Sequence, residues 1–318
     1  MSLAEIVKNQ DFFKKLAEKK EKNTLSNAIM FFCEDNYTAN NTLVMTAIML
    51  QYQMYELFDE NSAEFPRIEK GVDLDVKVYP KNNEKMLVAD SNDIVSEAYA
   101  KPVNLPNKIF IIKNLDVSTE EAQNKLLKVL EEPPKNVFFL ISVKNESKVL
   151  PTIKSRCDKI KINPLSFEEI SSVCRDELAC ILGDGYIGQT LEYEKNESLK
   201  SICSFAVSLF TALKSSKDVL KFSKRFVEEK ENLDLVLKVA LFCVEDMLKI
   251  KCESENLCVL KPFLRDLKDV EAEFSVEALC EISHLVSRFL EKIEFNANFM
   301  VSIDNLLLKM LEVKYLCK

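Results

Sequence analysis

The sequence lacks residues that several functional classes require. Its 318 residues include no tryptophan, four glycines and a single histidine, His284. One histidine excludes a Cys₂His₂ zinc site and makes histidine-based catalysis untenable, and there is no Cys-x-x-Cys pair for another metal site. No apolar run approaches the ~20 residues of a membrane helix, and no basic-then-apolar export segment is recognisable. We therefore predict a cytoplasmic protein with no metal and no membrane association.

Composition sets further limits on partners and size. Lysine and arginine number 43 against 51 acidic residues, and this net charge of −8 disfavours independent binding to nucleic acid. With 47% hydrophobic residues the chain can bury a proper core, and its length predicts about two domains, with three small ones as an alternative. The ten cysteines are interpreted as reduced thiols that pack as small hydrophobes.

The first half of the chain alternates strand and helix patterns. Short apolar runs predict buried strands over 27–33, 108–112 and 137–142. A helix is expected from Asn41 to about Tyr55, and another starts at a capping box formed by Ser118 and Glu121. This second helix ends at Pro133-Pro134 and lies between two strands, so the pattern is a βαβ unit in a parallel sheet.

The second half is almost wholly helical. A second capping box, Ser166 with Glu169, follows a strand-like stretch at 160–162 and opens a small helical domain over 164–205. A larger helical bundle follows to the end of the sequence. Its two clearest apolar stripes consist of Leu233, Val236, Leu237, Ala240, Val244, Met247 and Leu248, and of Leu279, Ile282, Val286, Phe289 and Ile293.

A glycine motif at 183–188 matches the dinucleotide-binding pattern G-x-G-x-x-G. A dinucleotide site needs the motif to follow a strand directly, whereas here it follows a helical pattern over 173–182. We interpret Gly183, Gly185 and Gly188 as residues that end one helix and turn into the next.

Two further motifs flank the strand at 137–142. They are LLKVLEEPP over 126–134 and LPTIKSRC over 150–157. Separately, they describe an amphipathic helix with a proline stop, and a loop and helix ending in an arginine. Together, in register with strands on both sides, they resemble the clamp-loader AAA+ proteins. Lys101-Pro102 and the Asn296-Ala-Asn298 segment add to the resemblance, which is dense over 86–170 and thin elsewhere.

The resemblance implies a fold of the class α/β plus all-α. Residues 1–163 would form an AAA+ parallel-sheet domain, 164–205 a small helical lid, and 206–318 a C-terminal helical collar that holds subunits in a ring. Many relatives carry a four-cysteine zinc module in the first domain. It is absent here, since residues 34–156 contain no cysteine.

The nucleotide-binding positions implied by the resemblance have lost the residues that bind ATP. The phosphate-loop stretch, residues 33–41, contains no glycine and no lysine, and it carries two carboxylates that repel a triphosphate. Its residues at the implied site are Cys33, Glu34, Asp35, Ala39, Asn40 and Asn41. The metal ligand and catalytic base after the second core strand are replaced by Lys113 and Asn114, with Asp116 two residues further on. We expect no ATP hydrolysis by this chain, and no cofactor.

Arg156 is the functional residue of the family that this sequence retains. In clamp loaders the matching arginine reaches the ATP site of a neighbouring subunit, and its planar fork of donors suits phosphate oxygens. By resemblance, Ser155 and Cys157 set the position of Arg156, and Leu150, Pro151 and Thr152 belong to the same interface. Lys154, Lys159 and Lys161 complete a basic cluster that serves the neighbour's ATP site or, in the plainer interpretation, is a solvated edge.

The resemblance therefore implies a non-catalytic clamp-loader subunit. Its partners would be other subunits of the tau/gamma and delta types, the sliding clamp indirectly, and primer-template DNA within the complex. Two alternatives stay open. One is an active, ATP-binding subunit of the tau/gamma type with a divergent phosphate loop, and the other is a structural scaffold without a trans-acting arginine.

Overall fold

The structure, a computed structural model, describes residues 3–52, 64–81, 85–292 and 299–316, and the chain divides into two compact units. The first unit comprises residues 1–192 and the second residues 193–318. The strands of the first unit are β1 (Ala28–Phe32), β2 (Val76–Tyr79), β3 (Lys108–Ile112), β4 (Val137–Val143) and β5 (Asp158–Lys161). Its helices are α1 (Leu3–Asn9), α2 (Asp11–Glu21), α3 (Asn36–Tyr52), α4 (Glu64–Glu69), α5 (Val88–Ala98), α6 (Glu120–Glu131), α7 (Pro151–Lys154), α8 (Phe167–Ser171), α9 (Glu177–Leu182) and α10 (Ile187–Lys195), the last of which runs into the second unit.

The five strands form one parallel sheet in the order β2-β3-β4-β1-β5. Strand β3 is buried at every position, and β4 at all but one, because both faces of the sheet are covered. On one face, the rings of Tyr79, Phe110 and Phe139 stack across three neighbouring strands, with centroids 6.4 and 5.4 Å apart. The predicted parallel α/β sheet is confirmed, and its carboxyl-terminal edge carries the loops that follow β1 and β3.

Two predicted helix starts are wrong. Helix α3 begins at Asn36, five residues before the predicted Asn41, because Asp35 caps it. Helix α6 is capped by Thr119, whose hydroxyl accepts a hydrogen bond from the amide of Ala122 at 3.2 Å, and not by a Ser118–Glu121 box. The hydroxyl of Ser118 instead donates to the carbonyl of Leu115. The Ser166–Glu169 capping box at α8 is confirmed.

The described residues of the second unit form helices joined by turns and short connections. After α10, the chain forms α11 (Leu199–Thr211), α12 (Ser216–Glu228), α13 (Leu233–Lys251), α14 (Leu264–Glu271), α15 (Val276–Lys292) and α16 (Phe299–Leu316). Helix α13 packs against α11, α14 and α15, and the predicted stripes form its core, except that Leu248 and Phe289 are half-buried. The predicted Met54, Ile293 and Asn296–Asn298 lie outside the described residues. Among the helices described, none is long and apolar enough to cross a membrane.

Candidate functional site

Asp35 fills the anion position at the start of α3. Its carboxylate accepts hydrogen bonds from the amides of Tyr37 at 3.3 Å and Thr38 at 3.0 Å, and from the Thr38 hydroxyl at 2.5 Å. The first amides of a helix have no partner within the helix and attract anions, so in phosphate-binding proteins they contact the phosphate. In this chain the carboxylate of Asp35 uses these donors itself. The side chain is buried, with 8% of the residue exposed.

Asp35 also joins the phosphate-loop stretch to the first turn of α10. The amide of Gly188 donates to Asp35 Oδ2 at 2.9 Å, across 153 residues of sequence. A Cβ at position 188 would lie 2.1 Å from Asp35 Oδ1, so the close approach requires glycine. Next to it, burial and a hydrogen bond to Glu34 raise the pKa of Tyr186 to about 12. Both acids predicted to repel phosphate therefore bind the chain's own residues.

The other residues of this stretch are packed or bonded internally. Ala39 is buried in α3, and Asn40 is half-buried one residue further along the helix. The side-chain amide of Asn41 donates to the carbonyl of Tyr37 at 2.8 Å. Burial raises the pKa of Cys33 to about 11, so its thiol stays protonated and is a poor nucleophile. The glycine motif at 183–188 runs from the end of α9, through the turn, into the first two residues of α10, as predicted from its context.

The position after β3 is equally unsuited to a metal ion. Burial lowers the pKa of Lys113, the residue that the resemblance puts in the place of an acidic ligand, and Asn114 adopts a left-handed conformation with φ of 52°. Asp116 accepts from the amides of Lys144 and Asn145, each at 3.1 Å, and so fixes the end of β4. Within the described ranges, no cluster of three histidine, cysteine or acidic side chains could hold a metal ion.

Arg156 follows the short helix α7 and is held by its own chain. Its NH1 donates to the carbonyl of Thr152 at 2.8 Å, and its NH2 lies 2.9 Å from Oε2 of Glu131. Glu131 is the last residue of α6 and belongs to the LLKVLEEPP motif, so this ion pair joins the two motifs directly. Sequence reasoning missed Glu131, because an acid at a helix end usually faces solvent.

The residues around Arg156 have separate structural tasks. Ser155 donates to the carbonyl of Thr152 at 3.0 Å, while Pro151 opens α7. Cys157 is buried in the sheet core, and burial raises its pKa to about 12, so it anchors the segment without reacting. A second residue missed from the sequence, Gln123 on α6, accepts from the amide of Leu150 at 2.9 Å and fixes the start of α7.

The basic cluster around Arg156 is partly neutralised within the chain. Lys159 pairs with Glu146 at 2.9 Å, and this hydrogen bond lowers the pKa of the Glu146 carboxyl. Lys154 donates to the backbone carbonyl of Glu146 at 3.0 Å, and Lys161 is exposed. Lys159 and Arg156 therefore share one feature, since each cation has an acidic partner within the chain.

Arg156 and the phosphate-loop stretch lie at opposite edges of the sheet. Strands β1 and β5 are parallel, with Ile29 beside Asp158 and Phe32 beside Lys161. Arg156 precedes β5 and so lies at the amino-terminal edge, whereas Cys33 follows β1 at the carboxyl-terminal edge. Four strand residues rise roughly 13 Å between these edges. Parallel sheets bind ligands at the carboxyl-terminal edge, and Arg156 lies at the edge opposite to it.

Comparison with known proteins places these observations in a family. A family model described as "DNA polymerase III, delta subunit" matches residues 8–166, which include all five strands and both motifs. The delta′ subunit of Bacillus subtilis DNA polymerase III is 21% identical over 265 residues, covering 80% of each chain. The gamma subunit of Buchnera aphidicola from Schizaphis graminum is 29% identical over 198 residues, and covers 61% of this chain. The match spans only 52% of that relative's own length.

One solved structure aligns with this chain over most of the length of both proteins. It is a DNA polymerase III gamma subunit-related protein from Thermotoga maritima, with 17% identity, 94% of this chain covered, 99% of that chain covered, and a TM-score of 0.45.

The parallel sheet and its two flanking motifs lie within the matched residues, and the matched relatives are subunits of DNA polymerase III. The match over residues 8–166 covers half of the chain and shows the family. The chain belongs to the DNA polymerase III delta subunit family, as a delta′-like clamp-loader subunit.

Proposed function

We propose that this chain is a non-catalytic subunit of a DNA polymerase III clamp loader that supplies Arg156 to the ATP site of a neighbouring subunit. The observation that carries the proposal is the position of Arg156 at the amino-terminal edge of the sheet, away from the phosphate-loop stretch. A guanidinium at that edge acts on a nucleotide only if another chain presents one. An arginine supplied across an interface accelerates phosphoryl transfer by stabilising the charge of the transition state.

The chain itself takes no part in hydrolysis under this proposal. The donors at the start of α3 are occupied by Asp35, and Glu34 is bonded to Tyr186. A triphosphate would have to displace two carboxylates that already have good partners, without a lysine to neutralise its charge. The position of the metal ligand holds Lys113, a cation that repels Mg²⁺.

The remaining parts of the proposal concern partners and domains. The chain occupies one place in a ring with subunits of the tau/gamma and delta types. Its association with the sliding clamp is indirect, and primer-template DNA is a partner within the complex. Residues 164–205 act as the lid and 206–318 as the collar that holds the ring. Helices α8 to α10 belong to the lid, and α11 (Leu199–Thr211) runs across the proposed boundary.

Nucleotide titration separates this proposal from an active tau/gamma-type subunit with a divergent phosphate loop. Fluorescent ATP with magnesium is titrated into the full chain alone, and we expect no saturable change in anisotropy at millimolar nucleotide. An ATP-binding tau/gamma subunit measured in parallel is the positive control. Saturable binding to the isolated chain would instead favour the active subunit.

A further inference from the structure

Arg156 is held in a conformation that leaves one of its donors without an acceptor. Its NH1 and NH2 groups bond to Thr152 and Glu131, but its Nε–H is buried and has no acceptor in the described part of the chain. A buried donor without an acceptor costs free energy, because it has lost its hydrogen bond to water. The observed conformation therefore carries a cost, which the contacts with Glu131 and Thr152 offset.

Glu131 also opposes the binding of a phosphate to the same guanidinium. Its carboxylate lies 2.9 Å from NH2, where it uses one of the donors and cancels the positive charge. A phosphate that binds Arg156 must share the remaining donors and lie close to this carboxylate. Because two anions on one guanidinium repel each other, the ion pair and the phosphate contact compete.

We propose that Glu131 is a positioning residue that holds Arg156 in a resting conformation and competes with the neighbour's triphosphate for it. Arrival of the triphosphate releases Arg156 from Glu131, so the arginine engages only when the neighbouring site is occupied. This inference rests on the proposed function, since it requires that Arg156 acts on another subunit.

The expected size of the effect follows from the exposure of the pair. The Arg156 side chain is 28% exposed and that of Glu131 is 58% exposed, so solvent weakens the ion pair. Exposed ion pairs contribute little, and their loss shifts an equilibrium by about two- to fivefold. The pair is therefore strong enough to order the arginine and weak enough for a triphosphate to displace it.

The test is Glu131→Gln in a clamp loader reconstituted from this chain and its partner subunits, with sliding clamp and primed DNA. Glutamine keeps the length of the side chain and removes its charge. We expect the KM for ATP to fall about two- to fivefold with kcat unchanged, because the cost of breaking the ion pair is removed at the binding step. Glu132→Gln is the matched control, since Glu132 is adjacent, exposed and outside the ion pair.

Four outcomes are separable. The predicted fall in KM, absent in Glu132→Gln and abolished when Arg156→Ala is added, supports competition. An unchanged KM, when Arg156→Ala alone is slow, overturns the role of Glu131 and leaves the trans role of Arg156 standing. A lower kcat at constant KM overturns competition, because it places the ion pair in the transition state. A wild-type rate for Arg156→Ala overturns both proposals.

Discussion

Replacing Arg156 with alanine should abolish the contribution of the neighbouring site to clamp-stimulated ATP hydrolysis. Hydrolysis at that site should slow by about 10³-fold or more, since a trans arginine is worth roughly 10³–10⁵ in rate. Folding should be affected little, because the ion pair that Arg156 makes with Glu131 is partly exposed. The measurement is steady-state ATPase of the complex reconstituted with sliding clamp and primed DNA.

Two matched variants show whether the geometry of Arg156 or only its charge matters. Lys159→Ala removes a cation that is likewise paired with an acid, at 2.9 Å from Glu146, and should leave the rate within about twofold of wild type. Arg156→Lys keeps the charge but not the planar fork, so we expect it to stay slow. A wild-type rate for Arg156→Ala would contradict the trans role and favour the structural scaffold.

Replacing Asp35 with alanine should destabilise the first unit by about 2–4 kcal/mol. The change removes the cap of α3 and leaves the amides of buried Thr38 and half-buried Gly188 without an acceptor, and each such loss costs about 1–2 kcal/mol. Amide hydrogen exchange of the full chain measures the effect in the peptides of β1 and β4. The amide of Gly188 should lose more protection from exchange than the peptides of β1 and β4, because Asp35 is its acceptor.

Asp35→Asn is the control for that change. Asparagine keeps an acceptor oxygen of similar size but loses the charge, so it should cost about half as much or less. Protection of the Gly188 amide that stays unchanged in Asp35→Ala would contradict the link between the phosphate-loop stretch and the first turn of α10. That result would restrict Asp35 to capping its own helix.

The central strands were predictable because burial on both faces leaves a direct pattern in the sequence. Strands β3 and β4 are nearly continuous apolar runs, and a helix ended by prolines lies between them. Strand β2 was missed, since its four residues include a lysine and give too short a signal. It starts where Asp75 accepts from the amides of Val103 and Asn104, a long-range contact without local periodicity.

The site was predictable in its residue types but not in its contacts. The loss of glycine and lysine from the phosphate-loop stretch was visible, and the acids there were interpreted as repelling phosphate. The further contact of Asp35 with the amide of Gly188, 153 residues away, left no local pattern in the sequence. The pairing of Glu131 with Arg156 was hidden for the same reason, because it depends on how α6 and α7 pack at one edge of the sheet.

Under the proposed function, nucleotide contacts this chain at Arg156 and not at the phosphate-loop stretch. Photolabelling with an ATP analogue that carries the reactive group on its γ-phosphate tests both parts at once. The chain is labelled alone and in the reconstituted complex, and the modified peptides are mapped by mass spectrometry. We expect no label on the chain alone, and label within 150–157 in the complex. Label within 33–41 in either sample would contradict this expectation.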